Sequence, residues 1–224
     1  MNKTIVKCEK LVLGYGRNLL CKSFDLSIKE NEWVGIIGKN GTGKSTFLRS
    51  ILGLEKIISG EILVFNQIPR KNNNWISYIP QERHLNLQEL ISGKTLVKAS
   101  FRGNQLGLPY SGKKLNKKID QIFEMVGVQS YSDLPFQNLS GGQKKRIYLA
   151  QALINDAKLL LLDEPLSNLD KNAKQDFMNA LKCIHKERNL TLLIVSHEIN
   201  IIAQELDHFL HFKNHSVRAC SNYQ

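Results

Sequence analysis

Three glycines, two lysines and two hydroxyl residues fall within Gly38-Lys39-Asn40-Gly41-Thr42-Gly43-Lys44-Ser45, which matches G-x-x-x-x-G-K-[ST]. The chemistry served by this pattern is the binding of a chain of phosphates. Glycines let successive backbone N–H groups turn inward as a nest for an anion. Gly38, Asn40, Gly41 and Gly43 would build that nest, Lys44 would reach the β- and γ-phosphates, and Ser45 would bind the accompanying Mg²⁺. Thr46 is placed to help at the α-phosphate. A second group lies where Leu159-Leu160-Leu161-Leu162 runs into Asp163-Glu164. Asp163 could hold Mg²⁺ through its water shell, and Glu164 could orient and polarise an attacking water. A third, Ser140-Gly141-Gly142-Gln143, has the S-x-x-Q form of a capping box. Its two glycines would leave the helix start bare, so an anion could approach N–H groups at the positive end of the helix dipole.

Positioning these groups requires particular elements. Trp33 to Ile37 is a continuous apolar run leading into the glycine turn, the pattern of a central parallel strand buried on both faces. After the turn, Phe47, Leu48, Ile51 and Leu52 keep helical spacing, with Gly53 as the stop. Strand, turn and helix are the context that the phosphate motif needs. The rest of the N-terminal third predicts short strands: Phe24, Leu26 and Ile28 alternate with polar residues, and Glu61–Phe65 and Trp75–Ile79 read as two more. From Leu85 to Phe136 no strand is predicted. Arg102 to Lys118, rich in Gly, Asn and Lys, reads as a loop, while Leu115, Ile119, Ile122 and Val126 mark an amphipathic helix ended by Gly127. The last third alternates again. Lys158–Leu162 and Thr191–Val195 are strands, Ala173, Phe177, Leu181 and Ile184 face one way on a long helix between them, and a short helix follows from about Glu198. The tail is expected to pair as a small edge hairpin. Such alternation implies parallel βαβ units.

Lys and Arg number 31 against 20 Asp and Glu, a net charge of +11 that calls for an anionic partner: nucleotide, nucleic acid or an anionic membrane face. With 42% hydrophobic and 23% charged residues, disorder, collagen-like structure and a disulfide scaffold are excluded. The densest apolar run stops at Asp163, short of the ~20 apolar residues of a spanning helix. No signal peptide is expected from the first residues. Cys8, Cys21, Cys183 and Cys220 are scattered, with no C-x-x-C, which reads as reduced cytoplasmic thiols and not as a metal site.

Leu139-Ser140-Gly141-Gly142-Gln143, followed by Lys144-Lys145-Arg146-Ile147-Tyr148-Leu149-Ala150, resembles the signature of ATP-binding cassette (ABC) ATPases. The resemblance covers nearly the whole chain with the short motifs in the family's order. It implies an α/β fold: a P-loop NTPase core with a mostly parallel sheet, an N-terminal antiparallel β subdomain, and an α-helical subdomain inserted at about 85–157 of a single 1–224 domain. It implies that Ser140, Gly141, Gly142 and Gln143 meet the γ-phosphate held by a second copy, so that two chains face head to tail over two ATPs. Tyr15, in Leu13-Gly14-Tyr15-Gly16, resembles the aromatic that stacks on adenine. Gln81, in Tyr78-Ile79-Pro80-Gln81, resembles the residue that touches Mg²⁺ and the attacking water at the junction to the helical insertion. Ser167-Asn168-Leu169-Asp170 resembles the loop after the catalytic carboxylate, with Asn168 where Ala is commoner. His197 resembles the switch histidine that contacts the γ-phosphate. Two departures stand out: Lys39 replaces a common Pro, so its backbone N–H could matter more than its side chain. Asn31-Glu32 replaces Gly-Glu, so the turn before the central strand is expected to be built differently.

The resemblance implies an active ATPase using ATP and Mg²⁺, paired as a homodimer or with another cassette. One cassette without a span implies a transmembrane permease subunit as partner and leaves room for a substrate-binding protein. The location implied is cytoplasmic, peripheral on the inner face of the membrane. Ribosome- or nucleic-acid-acting members usually carry two cassettes or a long coiled coil; neither is visible, so no direct nucleic-acid contact is expected. The absence of an appended regulatory domain argues against long-tailed sugar and methionine importers. The tail Asp207–His215 and Ile51-Leu52-Gly53-Leu54 resemble cassettes of zinc and manganese uptake, with lipid or lipoprotein export and other small-solute import left open. His208 and His211 would lie on opposite faces of a strand and so would not converge on one ion.

Overall fold

A computed structural model of the chain describes residues 3–16, 18–71, 73–81, 91–101 and 112–220. The apolar run Trp33–Gly38 forms β3, flanked in a six-stranded sheet by β5 (Ile76–Ile79), β6 (Leu159–Asp163), β7 (Thr191–Val195), β8 (His208–Lys213) and β9 (Ser216–Cys220) in the order β5-β6-β7-β3-β8-β9. All neighbours pair in parallel except β8 and β9. The continuous apolar strands follow from burial on both faces. Leu160, Leu162, Leu192 and Ile194 pack into one core with Phe177 and Leu181, while Leu159, Leu161, Leu193 and Val195 pack into another with Phe47 and Ile51. The three central strands β3, β6 and β7 lack polar alternation because both of their faces are buried.

The second core is closed by an antiparallel sheet of β1 (Thr4–Tyr15), β2 (Asn18–Lys29) and β4 (Ser59–Val64), ordered β2-β1-β4. β1 and β2 run longer than the short strands expected. Register shifts occur along their pairing, and Lys10 takes a positive φ of 47° with its N–H bonded to Asp25 Oδ1. These bulges break the two-residue alternation that marks a long strand in sequence.

Six helices complete the described residues: α1 (Lys44–Ile51), α2 (Gly93–Ala99), α3 (Lys113–Val126), α4 (Gly141–Leu153), α5 (Lys171–Arg188) and α6 (Ile199–Ile202). Gly53 follows α1 with a φ of 69°, the left-handed stop expected. α3 corrects the loop expected up to Lys118: it begins at Lys113, with Leu115 and Ile119 buried and Lys113, Lys114 and Lys117 exposed. Residues 102–111 of that expected loop lie outside the described residues, as do 85–90 of the expected insertion. The edge hairpin is present, turning through Asn214 and His215, both with positive φ, as a two-residue turn of the primed type requires. Among the described residues, no helix is long and apolar enough to cross a membrane.

Candidate active site

β3 delivers the chain to the glycine turn at Gly38, which no other residue could replace. Its φ is 151°, and an added Cβ would stand 2.3 Å from the Phe212 carbonyl oxygen of β8. Lys44, the first residue of α1, is buried and donates from Nζ to the carbonyls of Gly38 (2.8 Å) and Lys39 (2.9 Å). Burial lowers its pKa, opposed by the carboxylates of Glu164 and Asp163. The Lys39 carbonyl also accepts from Thr42 Oγ1, so Lys39 works through its backbone, by the oxygen where the N–H was expected. Tyr15 is half exposed at the end of β1, its hydroxyl 2.8 Å from Thr46 Oγ1.

β6 ends beside the turn. Asp163 is buried at the strand's last position and accepts from Ser45 Oγ (3.0 Å) and Tyr78 Oη (3.1 Å). Burial raises its pKa, against the two hydrogen bonds that favour the carboxylate. Glu164 follows with a φ of 49° and turns back to the site, its N–H held by the Val195 carbonyl of β7. Its two oxygens are engaged separately: Gln81 Nε2 donates to Oε2 at 3.0 Å, and His197 Nε2 stands 2.8 Å from Oε1. Gln81 and His197, far apart in the sequence, thus meet at the Glu164 carboxylate. A cavity of about 410 Å³ opens here, lined by Tyr15, Asn18, Leu20, Asn40 and Gly41, residues 43–46, Gln81 and Glu164.

Ser45, Asp163 and Gln81 can offer hydroxyl, carboxylate and amide oxygens, the hard donors that suit Mg²⁺. Ser45 and Asp163 already converge within hydrogen-bond distance. No cluster of three or more His, Cys, Asp or Glu side chains occurs among the described residues. Mg²⁺ keeps water and substrate phosphates in its shell and does not demand an all-protein cage.

Ser140 to Gln143 stand apart, outside that cavity's lining. The capping box is complete at the start of α4: Gln143 N–H donates to Ser140 Oγ, and Ser140 N–H to Gln143 Oε1. The two glycines differ in their packing. A Cβ on Gly141 would meet only Leu169 Cδ2, at an ordinary contact distance of 4.0 Å. One on Gly142 would come 2.7 Å from Ala173 Cβ, so Gly142 admits close packing of α4 on α5. Asn168 takes a φ of 58°, and Asp170 caps α5 by accepting from Ala173 N–H. The altered turn before β3 works because Asn31 occupies the left-handed region, φ 64°, and donates its N–H to Thr191 Oγ1.

Two residues at the site were not predicted from sequence. Tyr78 lies in the quoted Tyr78-Ile79-Pro80-Gln81, and its placement on a strand paired with β6 is the signal that points it to Asp163. Lys145, in the second turn of α4, donates to the carbonyls of Pro165 (2.7 Å) and Ser167 (2.5 Å), while Ser167 Oγ donates to the Glu164 carbonyl. Burial lowers the Lys145 pKa to about 8. Nothing in the sequence separates it from its neighbours Lys144 and Arg146.

A doubly covered parallel sheet, a phosphate-binding turn after its central strand and an acidic strand end beside that turn define a nucleotide-hydrolysing cassette. The chain belongs to the ABC transporter family, whose sequence model matches residues 21–167, and it is an ATPase of that family. It is 33% identical over 205 residues to the zinc transport system ATP-binding protein TroB of Treponema pallidum (strain Nichols), covering 92% of this chain and 77% of that protein. It is 32% identical over 198 residues to the methionine import ATP-binding protein MetN of Clostridioides difficile (strain 630), covering 85% of this chain and 60% of that one. Among solved structures, a dimeric ATP-binding cassette in a post-hydrolysis state with ADP and Pi matches with a TM-score of 0.80 and 27% identity, covering 98% of this chain and 100% of that chain.

Proposed function

We propose that this ATPase subunit powers import of zinc or manganese through a membrane permease, by head-to-tail closure of two cassettes over two ATPs. The single observation that carries the hydrolytic part is Glu164, held between Gln81 and His197 at the mouth of the cavity. Tyr15 stacks on the base, residues 38–46 and Lys44 hold the phosphates, and the bare start of α4 meets the γ-phosphate of the opposite copy. Glu164 orients the attacking water and accepts its proton as water oxygen bonds to the γ-phosphorus and the bond to the β-phosphate oxygen breaks. His197 contacts the γ-phosphate and fixes the Glu164 carboxylate. Ser45, Asp163 and Gln81 hold Mg²⁺, whose chemistry when bound is to neutralise phosphate charge. Residues 85–157 form the insertion of a single domain, and Gln81 at its edge links nucleotide state to the permease. The subunit works at the inner membrane face.

The likeness to TroB supports zinc as cargo; the likeness to MetN supports a second reading, import of another small solute. Uptake measured in a strain deleted for this chain separates them. Loss of ⁶⁵Zn or ⁵⁴Mn uptake, restored by the intact chain and not by Lys44→Ala, is expected. Normal metal uptake with lost methionine uptake selects the second reading.

A further inference from the structure

The edge hairpin carries a second cavity, of about 530 Å³, lined by His211, Lys213, Asn214, Ser216, Arg218 and Cys220. It shares no lining residue with the nucleotide cavity. Pairing of His211 with Arg218, and of Lys213 with Ser216, puts these four side chains on one face of β8 and β9. All six lining residues can donate a hydrogen bond, and none is acidic. Among the described residues, neither Lys213 nor Arg218 has an ion-pair or hydrogen-bond partner for its side chain. Two unpaired like charges at diagonal positions across a hairpin repel each other, and an anion between them removes the repulsion.

The hairpin is braced. Lys22 N–H donates to the His215 carbonyl at 2.7 Å, and His215 Nδ1 lies 3.1 Å from the Leu20 carbonyl. The face is therefore presented on fixed strands. A cavity in the range of roughly 300–1,000 Å³ suits a small molecule. Arg with Lys, hydroxyl and amide donors suits a phosphate, which accepts on every oxygen.

We propose that this face of the hairpin binds a phosphate-bearing anion at a site separate from ATP. Exposed cations on an edge strand also block unwanted strand pairing, and that role alone leaves the cavity without affinity for phosphate. The test titrates inorganic pyrophosphate into the Lys44→Ala protein, where the ATP cradle is disabled, by calorimetry and by NMR of the histidine rings. One equivalent should bind, the His211 ring resonances should shift, and adding Lys213→Gln and Arg218→Gln should weaken binding at least tenfold. Each single glutamine variant serves if the pair disturbs folding. Sedimentation with phosphatidic acid vesicles against phosphatidylcholine vesicles identifies the source. Sedimentation lost on the same substitutions assigns a lipid headgroup, and binding in solution alone assigns a free phosphate ester. A Lys44→Ala protein that binds neither pyrophosphate nor vesicles, or whose binding ignores both glutamines, overturns the proposal.

Discussion

Glu164 shows how one carboxylate is aimed. It sits one residue past a buried strand, in a positive-φ conformation unfavourable for its type, and each oxygen has its own partner. The base side of the cleft is simpler, since Tyr15 offers a half-exposed ring and a hydroxyl tied to Thr46. Tyr15→Ala should weaken ATP binding by ~1–3 kcal/mol through lost stacking, while Tyr15→Phe should lose only about 0.5–1.5 kcal/mol with the hydrogen bond. Equilibrium binding of ATP to the three proteins checks the order; Phe as weak as Ala would credit the hydroxyl over the ring. The buried thiols give a pH prediction. Burial pushes Cys8 up to about 12 and Cys21 up to about 11. Both pKa values lie above the assay range, so the thiolate fraction rises with pH and alkylation of each should quicken about tenfold per pH unit between 7 and 10. Peptide mapping after timed iodoacetamide exposure reads this, and a plateau near pH 8.5 at either position would contradict the burial described.

At the scale of elements, α4 is held at two points. Gly142 lets its start lie on Ala173, and Lys145 ties its second turn to the loop after Glu164. Gly142→Ala should destabilise the fold by ~1–3 kcal/mol through overpacking, and Ala173→Gly added to it should recover part of the loss. Thermal unfolding of single and double variants measures the coupling; strictly additive effects would show that the two Cβ positions do not meet. The same elements show what sequence conveys. The glycine turn, the Asp163-Glu164 strand end and the capping box are legible because each needs fixed residue types in consecutive positions. The length of β1 is not, because a bulge at Lys10 resets the alternation. Nor is Lys145, since a half-buried lysine satisfied by backbone carbonyls looks like any surface lysine. Gly142 was legible as a glycine but not as a packing device, because its partner Ala173 lies on another helix.

Over the whole molecule, the buried sheet separates two cores and brings four separate stretches of the sequence to adjoining strand ends, Ser45 to Asp163 and Gln81 and His197 to Glu164. The signature stands outside the cavity it is proposed to complete, so the account requires a second chain. The net charge of +11 divides between the phosphate cradle, the cationic hairpin and the remaining surface. The most direct test is the mass and turnover of Glu164→Gln with ATP and Mg²⁺, followed by light scattering and phosphate release. The account predicts that ATP converts this variant to a stable dimer while hydrolysis falls by at least a hundredfold. A variant that stays monomeric with ATP and hydrolyses it at the wild-type rate would contradict both the role of Glu164 and the head-to-tail site.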